Sequence, residues 1–106
     1  QTAAEWGARV ELDIQKKYGA VNLTEADSIV QRSMAAFRAA GMEPVLRATG
    51  GGSDANMLNM RGLLAMNHGC GYTNAHGLDE KQSIADLEKL VRFVVELVKL
   101  HADLEA

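Results

Sequence analysis

The fold turns on residues 44–67, PVLRATGGGSDANMLNMRGLLAMN. Two apolar runs, PVLRAT (44–49) and LLAMN (63–67), flank three glycines, a serine, an aspartate and a helix-prone stretch. LLAMN is apolar almost throughout, the pattern of a strand covered on both faces. PVLRAT reads as a second short strand. Between them a brief helix is expected through about Arg61, with Gly62 supplying its left-handed stop. A purely structural turn needs one glycine, at most two. Three in a row imply that something comes close to a main chain that carries no Cβ there.

Upstream, Thr24 with Asp27 three residues on reads as a short-armed capping box. The helix it opens has Val30, Met34 and Phe37 on one face. Gly41 supplies the residue past its end, and Pro44 prevents continuation. Before it, ARVELDI (8–14) alternates Val10, Leu12 and Ile14 with charged residues, a period of two that marks a strand with one buried face. KKYGAVN serves as linker. Downstream, HGCGYTNAHGLDEKQ (68–82) is a loop longer than a plain connection needs. Ser83 caps a last helix with Asp86 at its third position. Ile84, Leu87, Leu90, Val91, Val94, Leu97 and Val98 give that helix a broad apolar face. Helix, strand, helix, strand, loop, helix predicts an α/β fold with parallel-type strands between flanking helices. The amphipathic 8–14 strand is expected to belong to a different, one-sided sheet.

The chain has 106 residues, 47% of them hydrophobic and 24% charged, with net charge −3 and one cysteine. One domain, or one with an appendage, is expected. The interspersed charges lack the basic footprint of nucleic-acid binding, and no apolar run approaches the ~18 residues of a membrane span. A single cysteine forms no intramolecular disulfide, so a reducing, cytoplasmic setting is expected. The chain starts without Met and reaches strand-like sequence at once; it reads as a piece of something longer.

In open α/β sheets, ligands gather at the carboxyl ends of strands, and both unusual loops, 49–55 and 68–82, follow expected strands. The first N–H groups of the helix after the glycines attract anions. A tight turn needing positive φ is the competing reading. Gly50, Gly52 and Ala55 match a dinucleotide fingerprint loosely. However, LLAMN ends in Asn67 with no acid for a ribose, and no Gly-Lys-Ser/Thr follows. The second loop holds His68, Cys70, Tyr72 and His76. Histidine and cysteine are usual zinc ligands, although His68-x-Cys70 has no familiar finger spacing. Cys70 reads as a small filler and His101 as an edge residue.

Taken together, the two loops resemble the C-terminal part of the M20 family of dinuclear zinc exopeptidases, in its peptidase T (aminotripeptidase-like) branch. The likeness lies in Gly50-Gly51-Gly52-Ser53-Asp54-Ala55, in Asn56 and Asn59, and in Gly62-Leu63-Leu64. It continues in Gly71-Tyr72 through His76-Gly77-Leu78-Asp79-Glu80. Leu64 stands where that family usually has proline. The resemblance implies that residues 1–22 are the last strand of a lid/dimerisation domain plus linker. Residues 23–106 are then the C-terminal half of a catalytic domain. It implies a cytoplasmic, self-associating enzyme that hydrolyses short peptides with two zinc ions. His76 would be a metal ligand and the N–H groups of Gly51, Gly52 and Ser53 a cradle for the substrate carboxylate. Asp54 and Glu80 would support turn and loop. The family's other metal ligands and its catalytic glutamate lie upstream of the matched residues, so no catalytic residue is expected in this chain and no activity by itself. Two alternatives stay open: an M20 amidohydrolase or carboxypeptidase acting on acylated amino acids, and a non-catalytic module binding small anions.

Overall fold

The structure, a computed structural model, describes residues 2–102. A 3₁₀ turn (Ala3–Trp6) is followed by helix α1 (Ser28–Ala39), helix α2 (Asp54–Met60), strands β1 (Tyr72–Thr73) and β2 (Lys81–Gln82), and helix α3 (Ile84–Ala102).

The helix ends follow local sequence. α1 starts later than expected, with Asp27 as its N-cap. The backbone N–H of Thr24 (2.7 Å) and its hydroxyl (2.9 Å) both donate to Asp27 Oδ2. These two bonds favour the charged carboxylate and hold Asp27 below the usual range, the backbone donor acting most strongly. At the other end Gly41 has φ 79°. Its N–H bonds Arg38 O (2.9 Å) and that of Met42 bonds Phe37 O (2.9 Å), a Schellman motif. α2 repeats the motif at Gly62, φ 80°, with Leu63 N–H on Leu58 O at 3.0 Å. α3 opens as the sequence predicts: Ser83 Oγ accepts the Asp86 N–H (3.0 Å) and donates to Asp86 Oδ2 (2.7 Å). That hydroxyl, followed by the Lys89 ammonium at 3.0 Å, lowers the Asp86 pKa.

α1 and α3 pack together. Phe93 of α3 stacks on Phe37 of α1, ring centroids 4.0 Å apart, and His68 leans on both rings. Phe93 is 2% exposed; with Val30, Ala36 and Ala55 it makes up the buried apolar set. The broad face expected of α3 is split. Leu90 and Leu97 are half-buried on the line of Phe93, whereas Ile84, Leu87, Val91, Val94 and Val98 are exposed. One 12-residue neighbour is narrower than the apolar arc it meets.

The predicted parallel-stranded α/β sheet is not formed. The only ladder among the described residues is antiparallel and two residues long, Tyr72 opposite Gln82 and Thr73 opposite Lys81. It lies within the stretch read as loop. Residues 8–14, 44–49 and 63–67 are irregular. A strand exists only by exchanging hydrogen bonds with a neighbour, and none of these segments has one among the described residues. The Ala65 carbonyl is met by a side chain instead, Asn59 Nδ2 at 2.7 Å. The radius of gyration, 19.2 Å, exceeds the roughly 13 Å of a compact 100-residue domain. Val10, Leu12 and Ile14 are 67%, 77% and 79% exposed. No helix among the described residues is long and apolar enough to cross a membrane.

Candidate functional site

The glycine turn is held at its far end by three asparagines. Asn56 Oδ1 accepts the Ser53 N–H (2.9 Å), and Asn56 Nδ2 donates to Gly19 O (2.9 Å). Asn67 Nδ2 donates to Ser53 Oγ (2.6 Å), tying the end of LLAMN to the start of α2. Asn59 Nδ2 reaches the carbonyls of Ala55 and Ala65, both at 2.7 Å. The Ser53 N–H is therefore already used. The N–H groups of Gly51 and Gly52 have no protein acceptor among the described residues. None of the three glycines has positive φ, so the turn does not need them for conformational freedom. Gly50 and Gly51 face open space, but a Cβ on Gly52 would collide with the hydroxyl end of Tyr18. Asp54, the first residue of α2, is exposed and favours the helix by its charge at the N-terminus.

His76 sits in the 74–80 connection between β1 and β2, with its backbone in the left-handed region (φ 64°), as is Asn74 (φ 57°). Such conformations are uncommon outside glycine and persist where surrounding bonds impose them. Here the His76 N–H donates to Glu80 Oε2 (2.6 Å), Asn74 Nδ2 to Asp79 Oδ2 (2.6 Å), and the Gly77 N–H to Asn74 O (3.0 Å). The hairpin is joined to its neighbours by Gln82 Nε2 donating to Cys70 O. No hydrogen bond or ion pair among the described residues links His76 to the glycine turn.

His68 is a core residue. Its Nε2 lies 3.0 Å from Ser33 Oγ, and Ser33 is 3% exposed. Half-buried against two phenylalanines, the imidazole loses hydration that its cation needs, and its pKa falls below 6.5. The unfolded chain then takes up this proton more readily than the native one. Stabilisation from neutral His68 is present in full above pH 6.5 and is lost as pH falls through the lower native value. Asp27 and Asp86, also lowered, lose theirs only below about pH 3.8. A thermal-unfolding series should show Tm falling as pH drops below 6.5, a step that His68→Phe removes.

Cys70 borders a small cavity of about 110 Å³ with Lys89 and Asp86. A larger groove of about 660 Å³ lies among α1, residues 64–68 and α3, with Arg32, Ser33, His68 and His101 set in apolar walls. Of the candidate ligands only His68 lines it; Gly51, Gly52, Ser53, Asp54, His76 and Glu80 do not. The triplet His101-Ala102-Asp103 spells His-x-Asp, but it follows no strand and Asp103 lies outside the described residues. No three His, Cys, Asp or Glu side chains cluster as a metal site among the described residues. Sequence reading passed over Tyr18 and Ser33. Only the surplus glycine, Gly52, signalled the first, and nothing local signalled the second.

Residues 7–100 match Peptidase family M20/M25/M40. Peptidase T of Caldanaerobacter subterraneus subsp. tengcongensis is 34% identical over 96 residues, 87% of this chain and 23% of its own length. The protein YqjE of Bacillus subtilis (strain 168) is 31% identical over 99 residues, 93% of this chain and 27% of its own. The crystal structure of aminopeptidase PepT from Bacillus cereus ATCC 10987 superposes with a TM-score of 0.81 at 29% identity, covering 94% of this chain and 27% of that one. The chain spans about a quarter of the length of these relatives.

Proposed function

The chain belongs to Peptidase family M20/M25/M40, and on that basis we propose that it is the C-terminal part of a cytoplasmic metallopeptidase acting on short peptides. The observation that carries this reading is the match across residues 7–100, with peptidase T relatives about four times as long. In the proposal, residues 1–22 belong to a lid/dimerisation domain and 23–106 to the catalytic domain. The N–H groups of Gly51 and Gly52, which have no protein acceptor among the described residues, receive the substrate carboxylate. Ser53 contributes through the turn it ends, since its N–H is held by Asn56. Asp54 supports that turn, and Glu80 fixes the backbone at His76.

By themselves the described residues do not fit a catalytic zinc. Such an ion takes three protein ligands, and no group of three potential ligands is formed. His76 is proposed as one ligand of a two-zinc centre whose others come from the rest of a longer chain. There the ions would polarise a carbonyl and acidify water. The 106-residue chain, assayed for amine release from a tripeptide with added zinc, should be inactive, while the longer chain containing it is active. Activity in the short chain, or none in the long one, would defeat the proposal.

Homo-oligomerisation is proposed through residues 8–14. Val10, Leu12 and Ile14 are exposed on an irregular segment that pairs with no other among the described residues. Each forgoes roughly 1.5–3 kcal/mol of burial, and an unpaired extended edge templates another copy. Light scattering at micromolar concentration should report more than a monomer, reverting with Val10→Asp plus Leu12→Asp.

A further inference from the structure

We propose that Tyr18, Gly52 and Asn56 form a latch fastening the linker after residues 8–14 to the glycine turn, so that everything before Tyr18 pivots about Gly19. Asn56 has one amide, and both its ends are used. The oxygen takes the Ser53 N–H (2.9 Å) and caps α2, while the nitrogen donates to Gly19 O (2.9 Å) and holds the linker. Beside that bond the hydroxyl end of Tyr18 reaches Gly52 and occupies the place of a Cβ. Of three successive glycines, only this one meets anything within 4 Å. The order of the segment changes there: Ile14 is 79% exposed, Tyr18 43%. The neighbour implied by the surplus glycine is thus another part of the same chain.

On the reading that residues 1–22 belong to a lid domain, Tyr18 and Asn56 are positioning residues. Movement of the lid would pull on the turn proposed to receive substrate, without either side chain needing to touch it. The latch itself does not depend on that reading.

Trypsin gives the test, using the 106-residue chain with neither metal nor peptide, diluted until light scattering reports a monomer so that no second copy covers Arg9. Cutting after Lys17 requires Tyr18 and Gly19 to leave the turn and enter the protease cleft, whereas cutting after Arg9 leaves the latch closed. Wild-type chain should therefore be cut faster after Arg9 than after Lys17. Asn56→Asp keeps the acceptor for Ser53 but removes the donor to Gly19. It should speed the Lys17 cut roughly two- to tenfold, the effect of one net hydrogen bond on a local opening, with helical circular dichroism unchanged. Gly52→Ala should speed it too, and should add nothing in a Tyr18→Ala background. Equal wild-type rates at Arg9 and Lys17, no change in Asn56→Asp, or a Gly52→Ala effect independent of Tyr18 would each overturn the latch while leaving the peptidase proposal intact. An inactive longer chain would do the reverse.

Discussion

His76→Ala, placed in the longer chain that carries this segment, is expected to lower kcat/KM for a tripeptide by on the order of 10³-fold or more. The magnitude follows from what a zinc at the proposed site would supply, a strong lowering of the pKa of bound water towards neutrality. An ion deprived of the proposed imidazole ligand would hold that water poorly. The backbone around His76 gives the prediction its specificity. The left-handed φ of 64° and the 2.6 Å bond to Glu80 fix where the imidazole starts. Glu80→Gln should therefore cost much less, because an amide oxygen still accepts the His76 N–H. Outer-sphere partners of metal ligands are typically worth 10–100-fold. His101→Ala serves as the control and should leave activity within a factor of two or so. Metal content by atomic absorption should fall with His76→Ala alone. A His76→Ala enzyme with full zinc and near-normal kcat/KM would remove His76 from the metal site.

The second large effect is on stability. Phe93→Ala is expected to abolish cooperative thermal unfolding of the 106-residue chain, or to lower Tm by at least about 12 °C. Truncating a buried phenylalanine costs roughly 3–5 kcal/mol, and each kcal/mol moves the Tm of a small domain by about 4–8 °C. Phe93 is 2% exposed, stacks on Phe37 at 4.0 Å and meets the tilted His68 ring at 4.8 Å. The buried apolar set has three other members, two of them alanines, so little remains to hold α1 against α3. Phe93→Leu keeps most of the volume and should retain a transition. By contrast Val94→Ala, one position along on an exposed face, should shift Tm by no more than a few degrees. Equal effects at positions 93 and 94 would mean that the α1–α3 contact is not the core in solution.

The contrast between these neighbours marks how far the sequence reaches. Hydrophobic spacing marks α3 as apolar over a wide arc, from Ile84 to Val98. It does not say which part of that arc α1 covers, because coverage depends on a helix 45 residues or more away in sequence. Phe93, absent from the expected face, became the centre of the core for that reason. His68 followed the same logic. Beside Cys70 it resembled a metal ligand, and only the approach of Ser33, Phe37 and Phe93 shows a desolvated, hydrogen-bonded ring.

What the residues determined by themselves are the features closed within a few positions. Ser83 with Asp86 started α3, and Gly41 and Gly62 ended α1 and α2 in Schellman motifs. The Asp27 carboxylate turned back to Thr24. Each needs only hydrogen bonds between residues three to five apart, so the local chain contains both partners. The family, too, was legible, because its two loops are contiguous strings of side chains. Tertiary structure decided everything that needed a distant partner. Among the described residues, the runs 8–14, 44–49 and 63–67 have the composition of strands but lack the neighbours that would make them so, and the only ladder formed where a loop was expected. Of the three glycines only Gly52 is approached, by Tyr18, which lies more than 30 residues away, so no local spacing could name it. A helix end satisfies itself; a strand, a core face and a close approach are each completed by a part of the chain that local sequence does not specify.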